Sequence, residues 1–316
     1  MIKPQRLQPG DKICLITPAF QALPAKVRFA KERLEAQGLE VVMPDTLMNR
    51  DGYFAGTVEE KVTELHNAFA DPSVKAIMAV RGGYGCARLL KHLDYELIAA
   101  NPKIVLGYSD ITSLLMAIYT QTGLITFHGP SAGYPLPEFS QHYLHRVLFG
   151  GEAVSYENPH KPPRDDVIST AYRPHTITPG VVKGRLMGGN LTVLASLLGS
   201  PFVPEEWEDV ILFLEEVHEE SYSIDRMLCH LDLVGILPAV KGVILGSFTD
   251  CHSRAFQSFD VETIVENTIS ALGVPAYANA MIGHQEEIFT LPIGAEVELD
   301  ASNCTFRLLE PAVVCG

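Results

Sequence analysis

A serine sits where a strand should hand over to a helix. Ile104-Val105-Leu106 is an apolar run, Gly107 follows it, and Ser109 comes two positions later. From Ser113 to Tyr119 the chain reads Ser-Leu-Leu-Met-Ala-Ile-Tyr, a helical pattern. A serine at such a junction is lifted out of the sheet on a sharp turn. The helix start behind it supplies unpaired N–H groups and the positive end of a dipole. Those are the parts of a serine nucleophile with an oxyanion site beside it. Ile111 stands where the pattern G-x-S-x-G has its second glycine, so the match is partial. The alternative reading is that Ser109 and Asp110 cap the helix, since both residue types favour that place.

Three further segments place chemistry at strand ends, where open α/β sheets gather their active groups. Arg81-Gly82-Gly83-Tyr84-Gly85 follows the strand Val74 to Val80. It lacks the spacing of a dinucleotide or phosphate loop. An oxyanion-type donor or a plain tight turn both fit it. Val210 to Leu214 is a buried strand by its apolarity, and it ends abruptly in Glu215-Glu216. A carboxylate there can orient a histidine, although most glutamates are solvated. Glu215 abuts the apolar run and is the better candidate. Met281-Ile282-Gly283-His284-Gln285 puts a histidine in a turn between apolar segments. Of the eleven histidines, His284 and His128, in Phe127-His128-Gly129-Pro130, sit in such loops. His142 and His145 lie three apart without the accompanying residues of a metal motif. Metal binding is therefore poorly supported by these residues.

The elements that carry these loops alternate. Strands at 12–18, 39–43, 74–80 and 103–106 are interleaved with helices at 25–38, 57–69 and 85–95, which predicts a parallel sheet covered on both faces. Composition shifts near residue 150. The Pro-rich polar stretch Asn158 to Asp166 reads as a linker. Beyond it come a helix at 191–198, strands at 210–214 and 240–245, a helix at 223–233, and alternating strands from 295 to 308. The expectation is therefore a parallel-sheet α/β domain over 1–155, a linker over 156–178, and a mixed α/β domain with antiparallel character over 179–316.

The 316 residues are 47% hydrophobic, enough for a sizeable core, and carry a net charge of −14. That balance, without any basic run, argues against a nucleic-acid partner. No apolar run reaches the ~18 residues of a membrane span, and the start of the chain lacks a signal-peptide core. The six cysteines form no C-x-x-C pair and read as reduced, mostly buried thiols of a cytoplasmic protein.

Taken together, these segments resemble the LD-carboxypeptidases, or muramoyltetrapeptide carboxypeptidases. This serine peptidase family also includes the microcin C self-immunity peptidases. The resemblance rests on Arg81-Gly82-Gly83-Tyr84-Gly85, Gly107-Tyr108-Ser109-Asp110, Gly188-Gly189-Asn190-Leu191, Leu212-Phe213-Leu214-Glu215-Glu216, Ile224-Asp225-Arg226-Met227-Leu228, and Gly283-His284 with Leu291-Pro292-Ile293-Gly294, in this order. It implies a triad of Ser109 as nucleophile, His284 as general base and Glu215 as orienting carboxylate. It also implies a Rossmann-like N-terminal α/β domain with a smaller β-rich C-terminal domain, and a homodimer without metal or cofactor, acting on murein tetrapeptides. Members usually show Glu-Asp where this chain has Glu215-Glu216. The Asp110 and Gly83 N–H groups would then hold the oxyanion. Arg81 is a candidate for the substrate carboxylate, with a structural ion pair as its alternative, and Asn190 is a further candidate substrate contact. A microcin-type peptidase on the same fold would need an aromatic platform for adenine, and Trp207 is the only tryptophan. A non-catalytic two-domain binding protein is the remaining reading.

Overall fold

The computed structural model describes residues 1–159, 173–253 and 258–315. Fourteen strands are assigned among them, in two sheets. The first begins with β1 (Lys12–Ile16), β2 (Glu40–Val42), β3 (Val74–Ala79), β4 (Ile104–Gly107) and β5 (Thr126–His128), all parallel to one another. The second holds β6 (Ser155–Tyr156), β7 (His175–Thr178), β8 (Val181–Asn190), β9 (Val210–Val217), β10 (Gly242–Thr249) and β11 (Ala276–Ala278). The chain then returns to the first sheet with β12 (Leu291–Ile293), antiparallel to β5, and ends in the second with β13 (Glu296–Asp300) and β14 (Thr305–Leu308). The orders are β12-β5-β4-β3-β1-β2 and β6-β14-β13-β8-β9-β10-β11-β7. The fold is mixed α/β, with a mostly parallel first sheet and a second sheet whose parallel centre, β8 to β11, has antiparallel flanks.

The helices are α1 (Pro24–Glu35), α2 (Val58–Ala70), α3 (Tyr95–Ala100), α4 (Ile111–Thr122), α5 (Glu138–His145), α6 (Leu191–Leu197), α7 (Ser221–Leu233), α8 (Ile236–Ala239) and α9 (Val261–Ser270). Their ends follow local chemistry. Thr57 and Glu60 close a reciprocal capping box at the start of α2. Pro24 opens α1, and Gly123 at φ 71° ends α4. One face of α1 (Val27, Ala30, Leu34) is buried, whereas α4 is buried along its length from Ile111 to Tyr119 because both sheets press on it. The strands β3 and β4 are almost wholly buried, as expected for a parallel sheet covered on both faces.

Three expectations need correction. Residues 85–95 are not one helix. Two 3₁₀ turns, Cys86–Arg88 and Leu90–His92, precede α3. Gly85 at φ 137° and the Cys86 N–H, which is given to the Asp110 carboxylate, break the helical run. Within 156–178, Tyr156 and His175–Thr178 are strand residues of the second sheet, so the expected linker is in part sheet. The β-branched run Thr176-Ile177-Thr178 suits the pairing with β11. The Pro-rich part, 160–172, lies outside the described residues. All six cysteines are free, but only Cys14 and Cys86 are buried.

Candidate active site

Ser109 lies between β4 and α4 with φ at 65°. A non-glycine residue there costs roughly 1–3 kcal/mol and persists only where its surroundings impose it. The surroundings are explicit. A β-carbon on Gly82 would come 2.8 Å from Ser109 Cβ, and one on Gly107 would come 2.9 Å from Ile111 Cγ2. Glycines on both sides therefore let the turn close this tightly. The Asp110 carboxylate accepts the Cys86 N–H at 2.8 Å, tying the serine turn to the loop Arg81–Gly85. Burial holds the Asp110 carboxyl above its usual range. Among the described residues, the N–H groups of Asp110 and Gly83 donate to no protein acceptor.

The second sheet brings the acid and the histidine. Asn190 ends β8 and Glu215 lies beside it on β9. The two sheets meet where α4 crosses β8. A β-carbon on Gly189 would come 2.4 Å from Thr112 Cγ2, and the Asn190 N–H donates to Thr112 Oγ1 at 3.1 Å. The lack of a side chain at Gly189 thus lets the serine's helix close on the sheet that carries the glutamates.

Glu215 is fully buried, and its Oε2 lies 2.7 Å from His284 Nδ1. The remaining imidazole nitrogen, Nε2, is free to face a hydroxyl. The Tyr108 ring lies 4.9 Å from the His284 ring, so the imidazole packs against the residue next to Ser109. Among the described residues no hydrogen bond joins Ser109 to His284. Such contacts are often loose before substrate binds.

Glu216 points the other way, as strand alternation requires, because β9 runs through it to Val217. Its Oε1 accepts the Asn190 amide at 2.8 Å, and its Oε2 accepts the Thr192 N–H and hydroxyl, both at 2.7 Å. Burial raises the Glu216 carboxyl, and these donors counter it. The Asn190 carbonyl caps α6 by accepting the Val193 N–H at 3.1 Å. Asn190, expected as a substrate contact, therefore has both polar side-chain atoms engaged inside the protein. Arg81 gives Nε–H to the Gly82 carbonyl at 3.2 Å and lies over the Phe20 ring, its guanidinium partly exposed.

Other features lie apart from this arrangement. Cavities of about 390 and 590 Å³ are lined by neither Ser109, Glu215 nor His284. One group of metal-capable side chains converges among the described residues, His175 with Glu262 and Glu266, and it shares no residue with the Glu215–His284 pair. Trp207 is buried in the turn before β9, its indole N–H on the Pro204 carbonyl at 2.9 Å. No helix of the described residues is long and apolar enough to cross a membrane.

Comparison with known proteins decides the family. Residues 13–129 match the LD-carboxypeptidase N-terminal domain and residues 183–299 match the LD-carboxypeptidase C-terminal domain. The chain belongs to the LD-carboxypeptidase family. This LD-carboxypeptidase family member is 35% identical to the probable murein peptide carboxypeptidase of Bacillus subtilis, over 96% of this chain and 93% of that one. It is 34% identical to the murein tetrapeptide carboxypeptidase of Pseudomonas aeruginosa, over 94% and 96%. The solved structure of MccF in complex with glutamyl sulfamoyl guanosine superposes with a TM-score of 0.89 at 26% identity, covering 99% of this chain and all of that one. The chain is thus a family peptidase with the two-domain fold of these relatives.

The sequence places His128 only in a loop, yet it ends β5 inside the core, its ring 6.2 Å from that of Tyr108. Its pairing in register with Gly107 of β4 is a tertiary fact with no local signal.

Proposed function

We propose that this chain is a serine LD-carboxypeptidase that releases the terminal D-alanine of murein tetrapeptides. The observation that carries it is the buried Glu215 carboxylate, 2.7 Å from His284 Nδ1, in a fold that also holds Ser109 at a left-handed turn. In this reading His284 Nε2 takes the Ser109 proton as the hydroxyl attacks the carbonyl that precedes D-alanine. Glu215 fixes the imidazole tautomer and stabilises the imidazolium. The Asp110 and Gly83 N–H groups receive the oxyanion, each donor contributing a factor of about 10²–10³. His284 then protonates the leaving amine, and water hydrolyses the acyl-enzyme. Arg81, with N–H groups still to offer, is the proposed partner of the D-alanine carboxylate. A homodimer and a cytoplasmic location, implied by the family resemblance, belong to the same proposal.

A second reading, a peptidase acting on aminoacyl sulfamoyl nucleosides of the kind bound in the MccF structures, is favoured by one feature. Tyr53 and Tyr84 are exposed, 6.1 Å apart, beside the Gly83 turn, where a base could stack. Trp207, held in its turn, cannot serve that purpose.

Incubation with L-Ala-D-Glu-meso-diaminopimelyl-D-Ala and, separately, with an aspartyl sulfamoyl adenosine separates the readings by mass spectrometry. Release of D-alanine supports the first. Cleavage of the nucleotide alone overturns it in favour of the second.

A further inference from the structure

Directly beneath the Tyr108–His284 pair lies a second histidine with nothing to bond to. His128 is 1% exposed, and neither ring nitrogen has a hydrogen-bond partner among the described residues. Its ring meets Tyr108 edge-on at 6.2 Å and Phe213 edge-on at 5.2 Å. Phe213 and Glu215 lie two apart on β9 and so share a face. That face presents Phe213 to His128 and Glu215 to His284. Glu215 has its own vacancy of bonding. Oε2 serves His284, while Oε1 is buried without a partner among the described residues. A buried carboxylate oxygen and a buried imidazole, both unpaired and both against the same strand, are each costly alone. Satisfied together they are not.

We propose that His128 is a positioning residue for the Glu215–His284 pair, its ring N–H serving Glu215 Oε1 through one bridging water. This rests on the triad reading above and assigns a fourth side chain to it. Neutral imidazole is the right species, because it offers one donor without adding a charge that would weaken the hold of Glu215 on His284. Burial keeps His128 neutral, pushing its pKa down to about 4. The charged and titratable groups facing it are Glu215 from β9, Tyr108 from the serine turn and His284 from the loop after β11.

The test compares His128→Gln with His128→Phe. Gln retains an N–H donor and loses ring packing. Phe retains the ring and loses the donor. A donor role predicts that Gln keeps kcat on the tetrapeptide within about threefold, while Phe lowers it by about 10- to 100-fold with KM unchanged. It further predicts that Phe moves the acid limb of the kcat/KM profile to higher pH. Without the Oε1 donor, the carboxylate's charge falls more fully on His284 and raises it. A packing role predicts the reverse order, with Phe active and Gln impaired. That order, or an unmoved acid limb in Phe, overturns the proposal. Melting curves control for folding. If Phe does not fold, an inactive but folded Gln variant still overturns it. The labelling rate of Ser109 by a fluorophosphonate provides a readout independent of the peptide. If wild-type Ser109 does not label and His284→Ala keeps activity, the triad reading itself has failed. If wild type labels and His128→Phe labels equally fast, only the present inference has.

Discussion

Gly283 lies flat against Glu215. A β-carbon on Gly283 would come 2.8 Å from both Cβ and Oε2 of the glutamate, and 2.7 Å from Ser247 Oγ. The glycine before the histidine therefore lets the imidazole reach a carboxylate at the end of a buried strand. Its φ of 110° is also one that other residues avoid.

Gly283→Ala should accordingly lower kcat by about 10²-fold, the scale of a misplacement near 1 Å. KM should change little, because the damage is to the base and not to the peptide's contacts. Steady-state kinetics on the tetrapeptide checks this, and an alanine variant with wild-type kcat would show that the loop yields freely.

Glu215→Gln and Glu216→Gln should fail in different ways. The first removes the charge beside His284 and should cost about 10⁴ in kcat, with the melting temperature nearly kept. The second places an amide N–H among the donors Asn190, Thr192 and Val217, which now supply Glu216 with four hydrogen bonds. It should lower stability by about 1–3 kcal/mol and activity only modestly. Paired denaturation and kinetic measurements decide it, and reversed roles would contradict the strand register seen through Val217.

Ser109→Ala should abolish cleavage and leave the fold intact, since among the described residues the Ser109 hydroxyl makes no hydrogen bond that holds the turn together. His284→Ala should be nearly as damaging, and the double variant little worse than either, because members of a triad act as a unit. Multiplicative losses would place His284 outside the mechanism.

Stability should fall in mild acid on account of His128. Its folded pKa is about 4 against 6.5 for the free side chain, so the folded protein resists a proton that the unfolded chain accepts. That stability is fully present above pH 6.5, is lost as pH falls from there, and levels off below about 4. A difference of this size is worth about 3 kcal/mol. His128→Phe should flatten the pH dependence of the denaturation midpoint in that window. An unchanged slope would show that His128 titrates normally.

Much of this was legible in the residues themselves. Alternation of apolar runs with helical patterns is a local property, so the parallel sheet from β1 to β4 and the helices α1, α2 and α4 follow from side-chain periodicity and turn glycines, whereas the helix expected over 85–95 does not form. Ser109, Glu215 and His284 could be nominated because each stands where an apolar run ends in a glycine turn or a carboxylate. The choice between Glu215 and Glu216 needed only strand alternation, once the strand was known to run past both.

Tertiary structure decided the rest. Residues 106 positions apart, Ser109 and Glu215, come onto facing elements because Gly189 lets α4 close on β8, and no local pattern states which helix a glycine is for. The engagement of Asn190 with Glu216, the return of β12 to the first sheet, and the burial of His128 beneath Tyr108 are pairings between distant segments. A sequence shows what each residue can donate, accept or bury. Only the packed chain determines which partner it meets, because that choice is made by the shape of the whole core rather than by its neighbours along the backbone.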